Sequence, residues 1–167
     1  MRKPLMLTLA LMVPSAVVFA ADKNPDASFF KNAAEGGMAE VELGKLAQDK
    51  STLPAVKDFG AMMVTDHSAA NDKLKALADS KNVELPTSPS MMQKATKTKL
   101  EILSGSTFDK SYVKGMIKDH QDDIKEFQKE ATSGKDPDAR AFAKATLPTL
   151  KTHLKKIQAI AAEQGIS

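Results

Sequence analysis

Apolar side chains recur at three- and four-residue intervals along most of this chain, the period of a helix that turns one face inward. The first such stripe is Phe30, Ala33, Ala34, Gly37, Val41 and Gly44. It is unusually small in the middle, which costs helix propensity but lets a neighbouring helix or a bound group come close. A second runs Val56, Phe59, Met63, His67, Ala70, Leu74, Leu77. The third is Val113, Met116, His120, Ile124, Phe127, Ala131, and the fourth Phe142, Thr146, Leu150, His153, Ile157, Ile160.

Local signals set the ends. Asn24-Pro25-Asp26 reads as a cap, a first-turn proline and an acid at the positive helix end, opening a helix over about 26–50. Pro54 opens the second, over about 54–81, and the prolines at 86 and 89 end it. A short helix over about 89–103 is expected with Ser88 as its cap, then a third long helix over about 108–132 capped by Thr107. Ser133 to Pro137 forms a turn with its own cap and first-turn proline; the last helix runs over about 137–163 and closes at Gly165. Pro148 predicts a kink one turn before His153. No stretch alternates with period two, so the fold class is all-α: a four-helix bundle with a short extra helix between the second and third long helices. The 26 residues from Asn82 to Thr107 can travel the bundle's length, the long crossover of ferritin-like folds, with an up-down-up-down bundle as the rival.

Each of the chain's three histidines falls on an inward stripe of a different helix, and Met63-Val-Thr-Asp66-His67 recurs as Met116-Ile-Lys-Asp119-His120. Glu40 borders the first stripe. It and His67 lie 12 and 15 residues from Thr52, while His120 and His153 lie 14 and 19 from Gly134, so at about 1.5 Å per residue all four sit near mid-height. Two arrangements satisfy imidazoles that meet there. One is a metal ion held by His67, His120 and His153, with Glu40 as the fourth ligand and Met63 or Met116 as soft alternatives; a carboxylate suits zinc, thioether suits copper. The other is a hydrogen-bonded network with Glu40, Asn71 or Thr146 as partners. Asp66 and Asp119 read first as surface aspartates paired with lysines, and as rim groups only if a metal is present; Glu42 reads as a solvated flank.

Composition narrows the classes. There are no cysteines, which excludes disulfides and thiolate ligation. Arg2 and Lys3, the apolar run from Leu5 to Val13, Pro14, and Val18-Phe19-Ala20 read as a secretory signal over 1–20, cleaved after Ala20. A periplasmic location follows, with no membrane span after cleavage and one domain over 21–167. Without Arg2 and Lys3 the balance is 22 basic to 21 acidic side chains, which leaves no electrostatic footprint for nucleic acid. Ser68 beside His67 has no glycine-rich elbow, so nucleophilic catalysis has no signal.

Several words then carry a resemblance: Gly36 to Ala47 (GGMAEVELGKLA), Met63 to His67, Phe108-Asp-Lys-Ser-Tyr112, Asp119-His120, and Leu147 to Leu154 (LPTLKTHL). The chain resembles the exported ferritin-like bacterial proteins of domain-of-unknown-function family 4142. The resemblance implies an exported ferritin-like bundle and no settled activity. Ferritin-like oxidases would need a carboxylate three residues before each histidine. Val64, Ile117 and Leu150 stand there, which disfavours di-iron. The expectation is therefore a non-catalytic or weakly catalytic exported bundle, tied to envelope stress, holding one zinc or copper ion. A metal-dependent redox enzyme is the alternative. A partner-binding module is a third reading, with the short helix bearing Met91, Met92, Leu100, Ile102 and Leu103 as its docking face; self-association stays open.

Overall fold

A computed structural model describes residues 24–167. The proposed signal, its cleavage site and residues 21–23 lie outside them. Five helices follow in order: α1 (Ala27–Lys50), α2 (Pro54–Ser80), α3 (Met91–Glu101), α4 (Gly105–Ser133) and α5 (Pro137–Glu163).

Two polar clamps tie the ends of the bundle. At one end the buried Asp109 carboxylate, in the first turns of α4, accepts from Ser51 Oγ at 2.5 Å and Thr52 Oγ1 at 2.5 Å in the α1–α2 turn. At the other, Asp26 before α1 accepts from the backbone N–H groups of Lys135 (2.8 Å) and Asp136 (2.6 Å) in the α4–α5 turn. α4 thus starts where α2 starts, so the two run parallel, and the 81–104 connection returns the length of the bundle. This is the one-long-crossover arrangement of ferritin-like folds. Lys50 on α1 donates to the Glu101 carbonyl at the end of α3, and Lys97 pairs with Glu42 at 3.1 Å. These contacts lay α3 against the outside of α1. Glu42 is therefore a half-exposed partner of the crossover rather than a free flank.

Helix starts differ from expectation in three places. Ser90, not Ser88, caps α3, because Gln93 three residues on completes a reciprocal capping box with it. α4 begins three residues early, at Gly105, whose φ of 55° suits glycine, so Thr107 lies inside the helix. Asp26 stands at the head of α1 but gives its carboxylate to the distant turn, and Asn24 Oδ1 accepts the Asp26 N–H instead. Asp136 does cap α5, accepting from Asp138 and Ala139 ahead of Pro137. α5 continues through Pro148 as one helix, and Thr152 Oγ1 donates to the Pro148 carbonyl.

The small residues of α1 have a packing reason. A Cβ on Gly44 would stand 2.6 Å from the Gly60 carbonyl oxygen, and one on Gly60 equally close to that of Gly44. The α1 and α2 backbones touch there. Below mid-height the core is Phe59, Met63, Phe108, Tyr112, Val113, Met116 and Ile157 among others. Above it, Phe29, Phe30, Leu74, Phe127, Ala143 and Leu150 form a second cluster. A polar layer separates the two.

Candidate functional site

That layer is made of the residues the helical stripes pointed inward. His67 on α2, His120 on α4 and His153 on α5 are all buried. One ring nitrogen from each lies within 4.8 Å of the others, and the ring centroids stand 5.2–5.8 Å apart. Glu40 on α1, only 4 % exposed, sits against them. Its Oε2 is 2.9 Å from His67 Nδ1, and its Oε1 is 3.4 Å from His120 Nε2 without a hydrogen-bond partner.

Partners fix which nitrogen of each ring faces inward. His120 Nδ1 is 2.9 Å from the Met116 carbonyl, which can only accept, so Nδ1 carries the proton and Nε2 is bare in the neutral ring. His153 Nε2 is 2.8 Å from Asp66 Oδ2, so its proton sits there and Nδ1 is bare. These two bare nitrogens face each other at 3.3 Å. His67 gives its Nδ1–H to Glu40, and its Nε2 is buried with no partner. Each imidazole thus has an acceptor behind it and a nitrogen free toward the interior, the pattern that orients metal-ligating histidines.

Electrostatics sharpen this. Burial would raise the Glu40 carboxyl, but the neighbouring imidazoles, His67 foremost, hold it down to about 2. Burial opposes a charge on His67, yet Glu40 outweighs it and lifts that ring above the usual histidine value. Burial lowers His120, against the pull of Glu40. His153 falls to about 4 because burial and its two neighbouring rings outweigh Asp66. At neutral pH no proton bridges His120 and His153, and their lone pairs confront each other.

Met63 and Met116 are buried in the lower cluster, and Met116 meets the site through its backbone carbonyl. Thr146 donates to the Phe142 carbonyl of its own helix rather than to a histidine. Asp66, expected first as a lysine-paired surface group, is instead the acceptor behind His153. Asp119 is half-buried, and burial, then the Glu40 charge, raises it to about 6. Sequence reading missed Asp123, whose carboxyl is pushed well up by burial and by Glu40 beside it. The spacing His120-x-x-Asp123 places both on one helical face and was the available signal.

A one-long-crossover bundle with three inward imidazoles at mid-height defines a helical-bundle protein whose centre could hold a metal. Residues 13–160 match the family described as Domain of unknown function (DUF4142), and the chain belongs to it. No curated protein matches the sequence. The fold is similar to a crystal structure of a DUF305 fragment from Deinococcus radiodurans, with a TM-score of 0.72 and 12% identity over 83% of this chain and 96% of that one. At that identity the likeness concerns the fold alone. Among the described residues, no helix is long and apolar enough to cross a membrane.

Proposed function

We propose that this protein is exported and holds one transition-metal ion, zinc or copper, at mid-bundle through His67, His120 and His153. The carrying observation is the pair of facing bare nitrogens. Two nitrogens bound at about 2.05 Å in tetrahedral geometry stand about 3.3 Å apart, and His120 Nε2 and His153 Nδ1 are separated by 3.3 Å. Without a cation that approach is repulsive; with one it is a coordination edge. His67 Nε2 supplies the third donor, and Glu40, Met116 O and Asp66 hold the three tautomers. Glu40 also brings a negative charge that offsets the ion's. Three nitrogen donors suit zinc and copper better than magnesium or calcium, which favour oxygen.

Export is supported by Arg2, Lys3, the apolar run after them and the Val18-Phe19-Ala20 cleavage word. One preparation tests both parts: untagged protein from a periplasmic extract, analysed by mass spectrometry and elemental analysis. A chain starting at Ala21 with close to one equivalent of zinc or copper is expected. Less than a tenth of an equivalent, with no uptake of either ion at micromolar concentration, overturns the metal site; a retained amino terminus overturns cleavage.

A further inference from the structure

Helix α3 turns its two faces to different surroundings. On the inner face Leu100 is buried and Leu103 half-buried against the lower core, Gln93 is held in the capping box, and Lys97 pairs with Glu42 and Glu101. The outer face is apolar. Met91, Ala95, Thr98 and Ile102 follow at intervals of four, three and four, one stripe along roughly 16 Å of helix, and all four are exposed. Met92 stands beside it. Met91, Met92 and Ile102 are 81%, 80% and 80% exposed, the large apolar side chains most open to water among the described residues. Of the five apolar positions expected to form a docking face, Leu100 and Leu103 are therefore spent on the bundle and these three remain.

Charge borders the stripe. With 3.6 residues per turn, Lys94 falls along one edge and Lys99 along the other. Both are exposed, and the Lys94 ammonium meets only the neutral Ser88 hydroxyl, at 2.8 Å. We propose that α3 docks on the surface of an anionic phospholipid bilayer, with Met91, Met92 and Ile102 entering the acyl boundary and Lys94 and Lys99 on the lipid phosphates. Two observations choose this occupant. A second copy laid along the stripe would set lysines against lysines on both edges, whereas phosphates complement both at once. The stripe is also the outer ridge of a helix packed on the outside of α1, and a fluid acyl layer receives such a ridge without a matching groove. The contact lies on the surface and does not span: no helix among the described residues is long and apolar enough to cross a membrane. With three apolar anchors and two charges it is reversible. α3 supplies no donor to the three histidines, so this surface stands apart from the metal site.

The test is co-sedimentation of residues 21–167 with vesicles of phosphatidylglycerol and phosphatidylethanolamine, and in parallel with vesicles of phosphatidylcholine alone, at low ionic strength. Binding to the anionic vesicles is expected. Replacing Met91, Met92 and Ile102 together by serine should weaken it by at least about tenfold, and Lys94→Gln or Lys99→Gln by about fivefold each. All five positions are exposed, so the variants should melt as the parent does. Absence of binding to the anionic vesicles, equal binding to phosphatidylcholine, or unchanged binding by the triple variant overturns the proposal. A dimer in sedimentation velocity that the triple variant dissolves would make a second copy the occupant and overturn it as well, and retention on poly-glutamate without vesicle binding would do so in favour of an acidic protein.

Discussion

His120→Ala probes the site most directly, because His120 meets three groups of its surroundings: the Met116 carbonyl, His153 and Glu40. The ring is fully buried, donates to the Met116 carbonyl, faces His153 at 3.3 Å and lies 3.4 Å from Glu40. In metal-free protein its removal leaves a buried carbonyl with one partner fewer and an unfilled space, costing about 1–3 kcal/mol. For a chain of this size that lowers the Tm by very roughly 2–12 °C. Metal adds a separate term. An ion at one hundred times its Kd stabilises the folded state by about 2.7 kcal/mol, a rise of roughly 5–11 °C. If losing one of three imidazoles weakens binding a hundredfold, the same ion concentration gives only about 0.4 kcal/mol. Calorimetric melting of both proteins in chelator and in buffered zinc separates the two terms. A metal-dependent rise in His120→Ala equal to that of the parent would refute the site, and an unchanged Tm in chelator would refute the buried network behind it.

Three further outcomes follow from particular contacts. Gly44→Ala should destabilise the fold despite alanine's better helix propensity, by about 1–3 kcal/mol in chemical denaturation, since its Cβ would be driven onto the Gly60 backbone oxygen; a stabilised variant would mean the helices separate freely. Glu130 is buried with an unsatisfied oxygen, and burial, then Asp26 beside it, raises its carboxyl to about 7. The folded state therefore binds this proton more tightly than the unfolded one, so its contribution is fully present below about pH 4.5 and is lost as pH rises through 7. Glu130→Gln should accordingly raise the Tm at pH 8 more than at pH 5, and an equal effect at both would contradict the assignment. The Tyr112 hydroxyl is buried without a partner, so Tyr112→Phe should leave stability unchanged or higher in urea denaturation, where loss of a satisfied hydrogen bond would cost about 1 kcal/mol.

The helical period alone was enough to place His67, His120 and His153 on inward faces and Glu40 at a stripe's border. Equal rise per residue also put them at one height, because depth along a rod depends only on counting. The all-α class and the long crossover were legible for the same reason: stripe lengths and turn residues are local features. What sequence could not fix was direction within the layer. Only helix rotation and packing decided that the Asp66 carboxylate reaches His153 on another helix, 87 positions away, and that the Met116 carbonyl sits behind the His120 ring. The helix starts shifted where a reciprocal cap at Ser90 and Gln93 outcompeted Ser88, a contest between neighbours that spacing leaves undecided. The approach of Gly44 to Gly60 and the room beside Gly37 likewise arise from two helices meeting, so a lone glycine in α1 announces that something comes near without saying what. Periodicity governs which residues face the interior; the mutual rotation of four rods governs which of their atoms meet.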